Sequence, residues 1–103
     1  MDFRIIFHDT AYADMDEVGE YLSQFCPSTS ENFFKKVRKQ TLQLEEMPYM
    51  YPVYEKDSYF RRMVLGDYLL FYSVNEARRL VIVHRIFRHS RDVSQLIEAN
   101  CED

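Results

Sequence analysis

Tryptophan is absent, and the 103 residues hold only two glycines and three prolines. So little glycine and proline excludes collagen-like and low-complexity classes. Gly19 and Gly66 each stand alone, so no glycine-rich loop is present to cradle a nucleotide phosphate. The two cysteines, Cys26 and Cys101, are too few and too far apart for a disulfide framework, and they read as free thiols. His8, His84 and His89 are scattered, without the spacing of a metal site. No nucleophile elbow or Ser/His/Asp pattern is present. The longest apolar run, Tyr68 to Tyr72, falls far short of the ~20 residues that a membrane span needs. The start, Met1-Asp2-Phe3-Arg4, lacks the apolar stretch of a signal peptide. The expectation is a cytoplasmic protein with no membrane contact, metal or cofactor.

Material for a core is plentiful. Apolar residues make up 47% of the chain and aromatics 16%, too much for a disordered polypeptide. The length suits one domain, residues 1–103. A net charge of −4 excludes a uniformly basic nucleic-acid binder. The charge is polarised, however. Residues 60–91 carry seven arginines (Arg61, Arg62, Arg78, Arg79, Arg85, Arg88, Arg91) against Asp67 and Glu76, so a local polyanion-facing surface stays open.

The periodicities change along the chain. Residues 3–8 read as a short strand. Asp9 and Thr10 offer a helix N-cap, and Tyr12, Met15, Val18, Leu22 and Phe25 follow at helical spacing. The other face of that helix holds Asp14, Asp16, Glu17 and Glu20, which suit a helix N-terminus. Pro27 ends it. Ser28 and Glu31 then spell a capping box for a second helix that runs to Met47, before Pro48. Its inner stripe is Phe33, Phe34, Val37, Leu44 and Met47, with Lys35, Lys36, Arg38 and Lys39 outside. Residues 48–58 read as a loop whose tyrosines either stack bases or cover a sheet edge.

Three strands follow, at 59–65, 68–74 and 80–87. Gly66-Asp67 spells a type II′ hairpin turn. The near-continuous apolar run of the last strand predicts a central position covered on both sides. Asp92 then caps a short final helix with Val93, Leu96 and Ile97 inward. The fold class is α+β, a two-layer β-αα-βββ-α domain. An antiparallel helical hairpin packs on a mostly antiparallel four-stranded sheet.

Chemistry concentrates in the arginines. Arg61 and Arg62 are adjacent on a strand, so only one can join a shared surface. Arg85, Arg88, His89 and Arg91 cluster at the end of the last strand and can grip phosphate or carboxylate groups. Against this stands a plainer reading, in which these arginines are solvated or pair with acidic residues of the helical layer. His89 is either a general acid–base or a loop-holding residue. His84 reads as a core or helix-facing side chain.

The stretches Phe60-Arg61-Arg62, Gly66 to Tyr72, Val81-Ile82-Val83 and Arg85 to Asp92 together resemble the RelE/ParE superfamily of type II toxins, also called plasmid-stabilisation proteins. The resemblance implies one of two activities. RelE-like members cleave mRNA on the ribosome. ParE-like members poison DNA gyrase and are not nucleases.

The residues here favour the ParE branch. Leu69 stands where RelE-like nucleases carry an arginine, Phe60 and Arg62 stand in place of paired lysines, and no tyrosine follows Tyr72. No catalytic residue is therefore favoured. A nuclease would draw on His89, Arg62, Arg91 and Arg85, with Glu55 or Glu46 as acid. A third alternative is an inactive homologue that only binds its antitoxin.

By the same resemblance the partner is a cognate antitoxin, laying an amphipathic helix or extended segment into a groove between helix layer and sheet. Tyr59, Tyr68, Tyr72 and Phe71 are the candidate groove residues. Arg62, Arg85, Arg88, His89 and Arg91 are the candidate contacts to target or phosphate, with gyrase favoured and ribosome-bound mRNA as the alternative.

Overall fold

Strand β1 (Arg4–Phe7) leads into helix α1 (Asp9–Ser23) and then α2 (Pro27–Leu42), which tightens into one 3₁₀ turn at Gln43–Glu45. Strands β2 (Arg61–Leu65), β3 (Tyr68–Asn75) and β4 (Leu80–Arg88) complete the structure, a computed structural model that describes residues 2–88. The expected final helix at Asp92, Val93, Leu96 and Ile97 lies outside the described residues, as do His89, Arg91 and Cys101.

The sheet order is β1-β4-β3-β2, with β1 parallel to β4 and the other pairs antiparallel. Both helices pack on one face of this open sheet, α1 over β4 and α2 over β2. The two-layer α+β architecture read from the sequence is the one observed.

Local chemistry explains the joints. His8 rather than Asp9 or Thr10 caps α1; its extended backbone lets Nδ1 accept the Thr10 N–H at 3.2 Å. Thr10 is instead drawn toward the sheet, its hydroxyl donating to the His84 carbonyl at 2.7 Å. Pro27 begins α2 rather than ending α1, and Cys26 takes the cap position expected for Ser28. A proline suits the first helical turn because its missing N–H is not needed there. Only Gly66 has positive φ in the Gly66-Asp67 turn, at 59°, which is the type II′ pattern.

The core joins Leu22, Phe33, Val37 and Leu44 of the helical layer to Met63, Leu65, Leu70, Tyr72, Val81, Val83 and Ile86 of the sheet. Several stripe residues lie elsewhere. Tyr12, Phe25 and Met47 are more than half exposed, because α1 turns Ala11, Gly19 and Leu22 inward and α2 stops at Leu42. Thr41 is buried among apolar neighbours by donating its hydroxyl to the Val37 carbonyl at 2.8 Å. Gly19 permits the close approach of α1 and α2, since a Cβ there would stand 2.6 Å from Phe34 Cζ.

Strand β4 is interior in the sheet, as its composition requires, but its second face is only partly covered. Ile82 and His84 are half-buried on it, and Phe87 is exposed. Its register breaks once. Phe71 pairs with Arg85 and Tyr72 with Val83, leaving His84 as an extra residue in a bulge. The bulge turns both Val83 and Ile86 into the core, although their three-residue separation would otherwise set them on opposite faces.

Candidate functional site

Strand β1 stops at Phe7, level with Val83, while β4 continues to Arg88. Among the described residues no strand lies beside the outer edge of β4 beyond Val83, and α1 fills the gap with side chains. His8 N–H donates to the Val83 carbonyl at 2.8 Å, and the Thr10 hydroxyl reaches His84. One turn further along α1, Asp14 accepts the Ile86 N–H at 3.0 Å. The same carboxylate takes a fork from Arg85, Nε at 2.7 Å and Nη2 at 3.1 Å. Burial opposes ionisation of Asp14, but the Arg85 bonds, the Ile86 N–H and the guanidinium charge outweigh it and hold the carboxyl below its ordinary value.

Past this pair the edge opens into a groove of about 680 Å³ between α1 and the end of β4. Glu17, Glu20 and Tyr21 form one wall, and Phe87 and Arg88 the other. Arg88 stacks its guanidinium 5.1 Å from the Tyr21 ring centre. Tyr68 lies at the groove, nine-tenths buried, with a hydroxyl that has no hydrogen-bond partner among the described residues. Burial raises the pKa of that phenol.

A second concavity, about 240 Å³, opens on the sheet face away from the helices. Tyr54, Phe60, Phe71 and Phe87 line it, with Asp57 and Arg85 beside them. Phe71 meets Tyr54 edge-on at 5.0 Å and Phe87 at 5.8 Å. Arg85 borders both cavities, because it wraps the sheet edge with its guanidinium 4.7 Å from the Phe87 ring centre.

The candidate residues thus separate into two groups. Tyr68, Arg85 and Arg88 border the groove. Phe71 lies on the open face, and Arg62 pairs with it across β2 and β3. Tyr59, largely exposed, packs edge-on against Phe60 and His84.

Tyr72 must leave the groove set. It has no exposed surface and donates its hydroxyl to the Pro48 carbonyl at 2.8 Å; burial pushes its pKa up to about 12. Arg85 is a paired arginine, in line with the plainer reading of that side chain. His84, half-buried, bonds Ser73 through Nε2, and burial with the neighbouring His8 lowers its pKa.

Arg61 and Arg62 part company as adjacent strand residues must. Arg61 holds the Tyr51 carbonyl at 2.7 Å and stacks on Tyr49. Tyr49 in turn donates to the Glu76 carboxylate. The 48–60 loop lies along the β2 edge, with Arg62 N–H donating to the Pro52 carbonyl at 3.0 Å. The loop backbone therefore covers the β2 edge, while Tyr54 packs against Phe71 on the open face. Glu46 and Glu55 are exposed.

Among the described residues no group of three or more His, Cys, Asp or Glu is arranged to hold a metal ion. No helix there is long and apolar enough to cross a membrane.

The chromosomal ParDE toxin–antitoxin system of P. aeruginosa contains a chain of similar fold, at TM-score 0.74 and 14% identity, covering 85% of this chain and 97% of that one. The toxin–antitoxin complex RelBE2 of Mycobacterium tuberculosis gives TM-score 0.63 and 17% identity over 87% of this chain and 100% of that one. The isolated RelE toxin of E. coli gives 0.64 and 17% over 94% of each. No curated protein sequence matches the chain. The sequence matches the family described as the ParE toxin of the type II toxin–antitoxin system parDE over residues 5–93, and the protein belongs to that family.

Proposed function

We propose that this toxin arrests growth by poisoning DNA gyrase, and that an antitoxin neutralises it by laying an amphipathic segment along the groove between α1 and the β4 edge. The observation that carries the reading is the ParE family match across residues 5–93. The chemistry agrees. A nuclease needs a base, an acid and cations converging on one phosphate. Here Leu69 and Phe60 stand at nuclease positions, and the Arg85 guanidinium is committed to Asp14. The groove's Glu17 and Glu20 would repel a nucleic-acid backbone. A toxin of this kind acts in the cytoplasm, where gyrase works.

The test is a cleavage-complex assay with purified protein, gyrase, ATP and supercoiled plasmid. Linear DNA released by protease, and suppressed by antitoxin, is the expected result. No linear DNA from a preparation that still arrests growth refutes the reading and makes ribosome-bound mRNA the next substrate. Expression that arrests nothing points instead to an inactive homologue.

A further inference from the structure

The groove between α1 and the end of β4 has walls of unlike charge. Glu17 and Glu20, three residues apart on α1, are neighbours on one helix face and repel each other. Asp14 adds nothing to this pair, because Arg85 and the Ile86 N–H already satisfy it. Opposite stand Phe87 and Arg88. Between them Tyr68 is only 9% exposed and its hydroxyl is unpartnered. Such a group carries an unmet desolvation cost, which an occupant offering a polar atom would remove. The volume of about 680 Å³ is that of a ligand cleft. The groove lies along the end of β4 where α1 side chains already take the His84 carbonyl and the Ile86 N–H, so a polypeptide segment seated there is held through side-chain contacts rather than through a strand ladder. A polyanion would meet the two glutamates, so nucleic acid is the wrong occupant.

We propose that this groove selects its antitoxin by charge: a Lys or Arg side chain of the antitoxin seats between Glu17 and Glu20, and a polar group of the same segment bonds the Tyr68 hydroxyl. The assignment rests on the antitoxin reading above and names the chemistry of the partner. Both features line the same groove, so they act together on one segment. Arg88, stacked on Tyr21, lines the same groove and favours an acidic or carbonyl neighbour to the basic anchor.

The test titrates the labelled product of the reading frame adjoining this gene into three proteins, wild type, Glu17→Lys/Glu20→Lys and Tyr68→Phe, by fluorescence anisotropy. Glu17 and Glu20 are exposed, so their reversal leaves the fold intact, which circular dichroism checks. The double reversal is expected to weaken binding at least about 30-fold, with the loss shrinking as salt rises. Changing the antitoxin's basic anchor to Glu restores binding to the reversed toxin alone. Tyr68→Phe weakens binding about 5-fold without lowering the melting temperature, since it deletes a hydroxyl that bonds nothing in the free protein. Wild-type affinity in both variants overturns the inference and leaves the antitoxin reading standing. A wild-type toxin that binds no antitoxin overturns both.

Discussion

Removing the Asp14 carboxylate is the most informative perturbation of the groove rim. Asp14 does two separable things: it accepts the Ile86 N–H, and it pairs with Arg85. The Arg85 side chain is 46% exposed, so the ion pair is screened and contributes about 0.5–1 kcal/mol. The backbone bond is the larger part, because Asp14→Ala strips Ile86 N–H of its acceptor at a position α1 shields from water. That costs about 1–3 kcal/mol. Asp14→Ala should therefore lose about 1.5–4 kcal/mol. Asp14→Asn keeps an acceptor and should lose about 1, and Arg85→Ala about 0.5–1. For a domain of this size each kcal/mol lowers the melting temperature by about 4–8 °C.

The pH dependence follows the same carboxylate. Its folded pKa lies below the ordinary 3.8, so its contribution is complete above 3.8 and disappears as pH falls through the folded value. Urea melts at pH 7, 5, 4 and 3 should show wild type and Asp14→Asn converging only below pH 4. Equal losses in the Ala and Asn variants, or a gap between wild type and Asn that persists unchanged at pH 3, would refute the division into a backbone acceptor and a screened ion pair.

Three further expectations are independent of the groove. Gly19→Ala should destabilise by about 1–3 kcal/mol despite alanine's better helix propensity, because its Cβ meets Phe34; Gly19→Ala/Phe34→Leu should recover part of the loss, and a stabilised single variant would contradict the close contact. Tyr72→Phe should cost about 1–2 kcal/mol at pH 7 by leaving the Pro48 carbonyl unpaired. Because the Tyr72 pKa is raised, its stabilisation is complete below pH 10 and lost as pH rises toward about 12; thermal melts from pH 8 to 11.5 should show a steeper alkaline decline in wild type than in the variant. The His84 ring should titrate below 6.5 by proton NMR, so stability is lost as pH falls from 6.5 through the lower folded value; a midpoint at or above 6.5 contradicts its burial beside His8.

Much of the architecture was legible because it is written in short-range periods. The shift from helical spacing to strand runs after Pro48 separates the layers, and Gly66-Asp67 specifies its turn by backbone sterics alone. The pattern from Phe60 to Asp92 was enough to indicate the superfamily. Cap positions were read less well: Asp9 and Ser28 have capping chemistry, but His8 and Cys26 hold those places because the neighbouring strand and corner set where each helix can begin. The stripe on α1 included Tyr12 and Phe25 because spacing defines a face without saying how far the helix is rotated on its sheet.

What the sequence by itself determined was the element order, the layer class and the family. What only the tertiary structure decided was which side chains share a surface. Asp14 was legible as one acidic residue on a solvated helix face; its role appears only when folding brings it to Arg85 and Ile86, 71 and 72 residues away. Tyr72 had the composition of a groove residue until β3 turned it into the core. The bulge at His84 resets which β4 residues face inward, and a two-residue period cannot announce its own interruption. Period and turn chemistry act over a few residues. Edge, groove and ion pair arise from register and packing between segments that the chain separates widely.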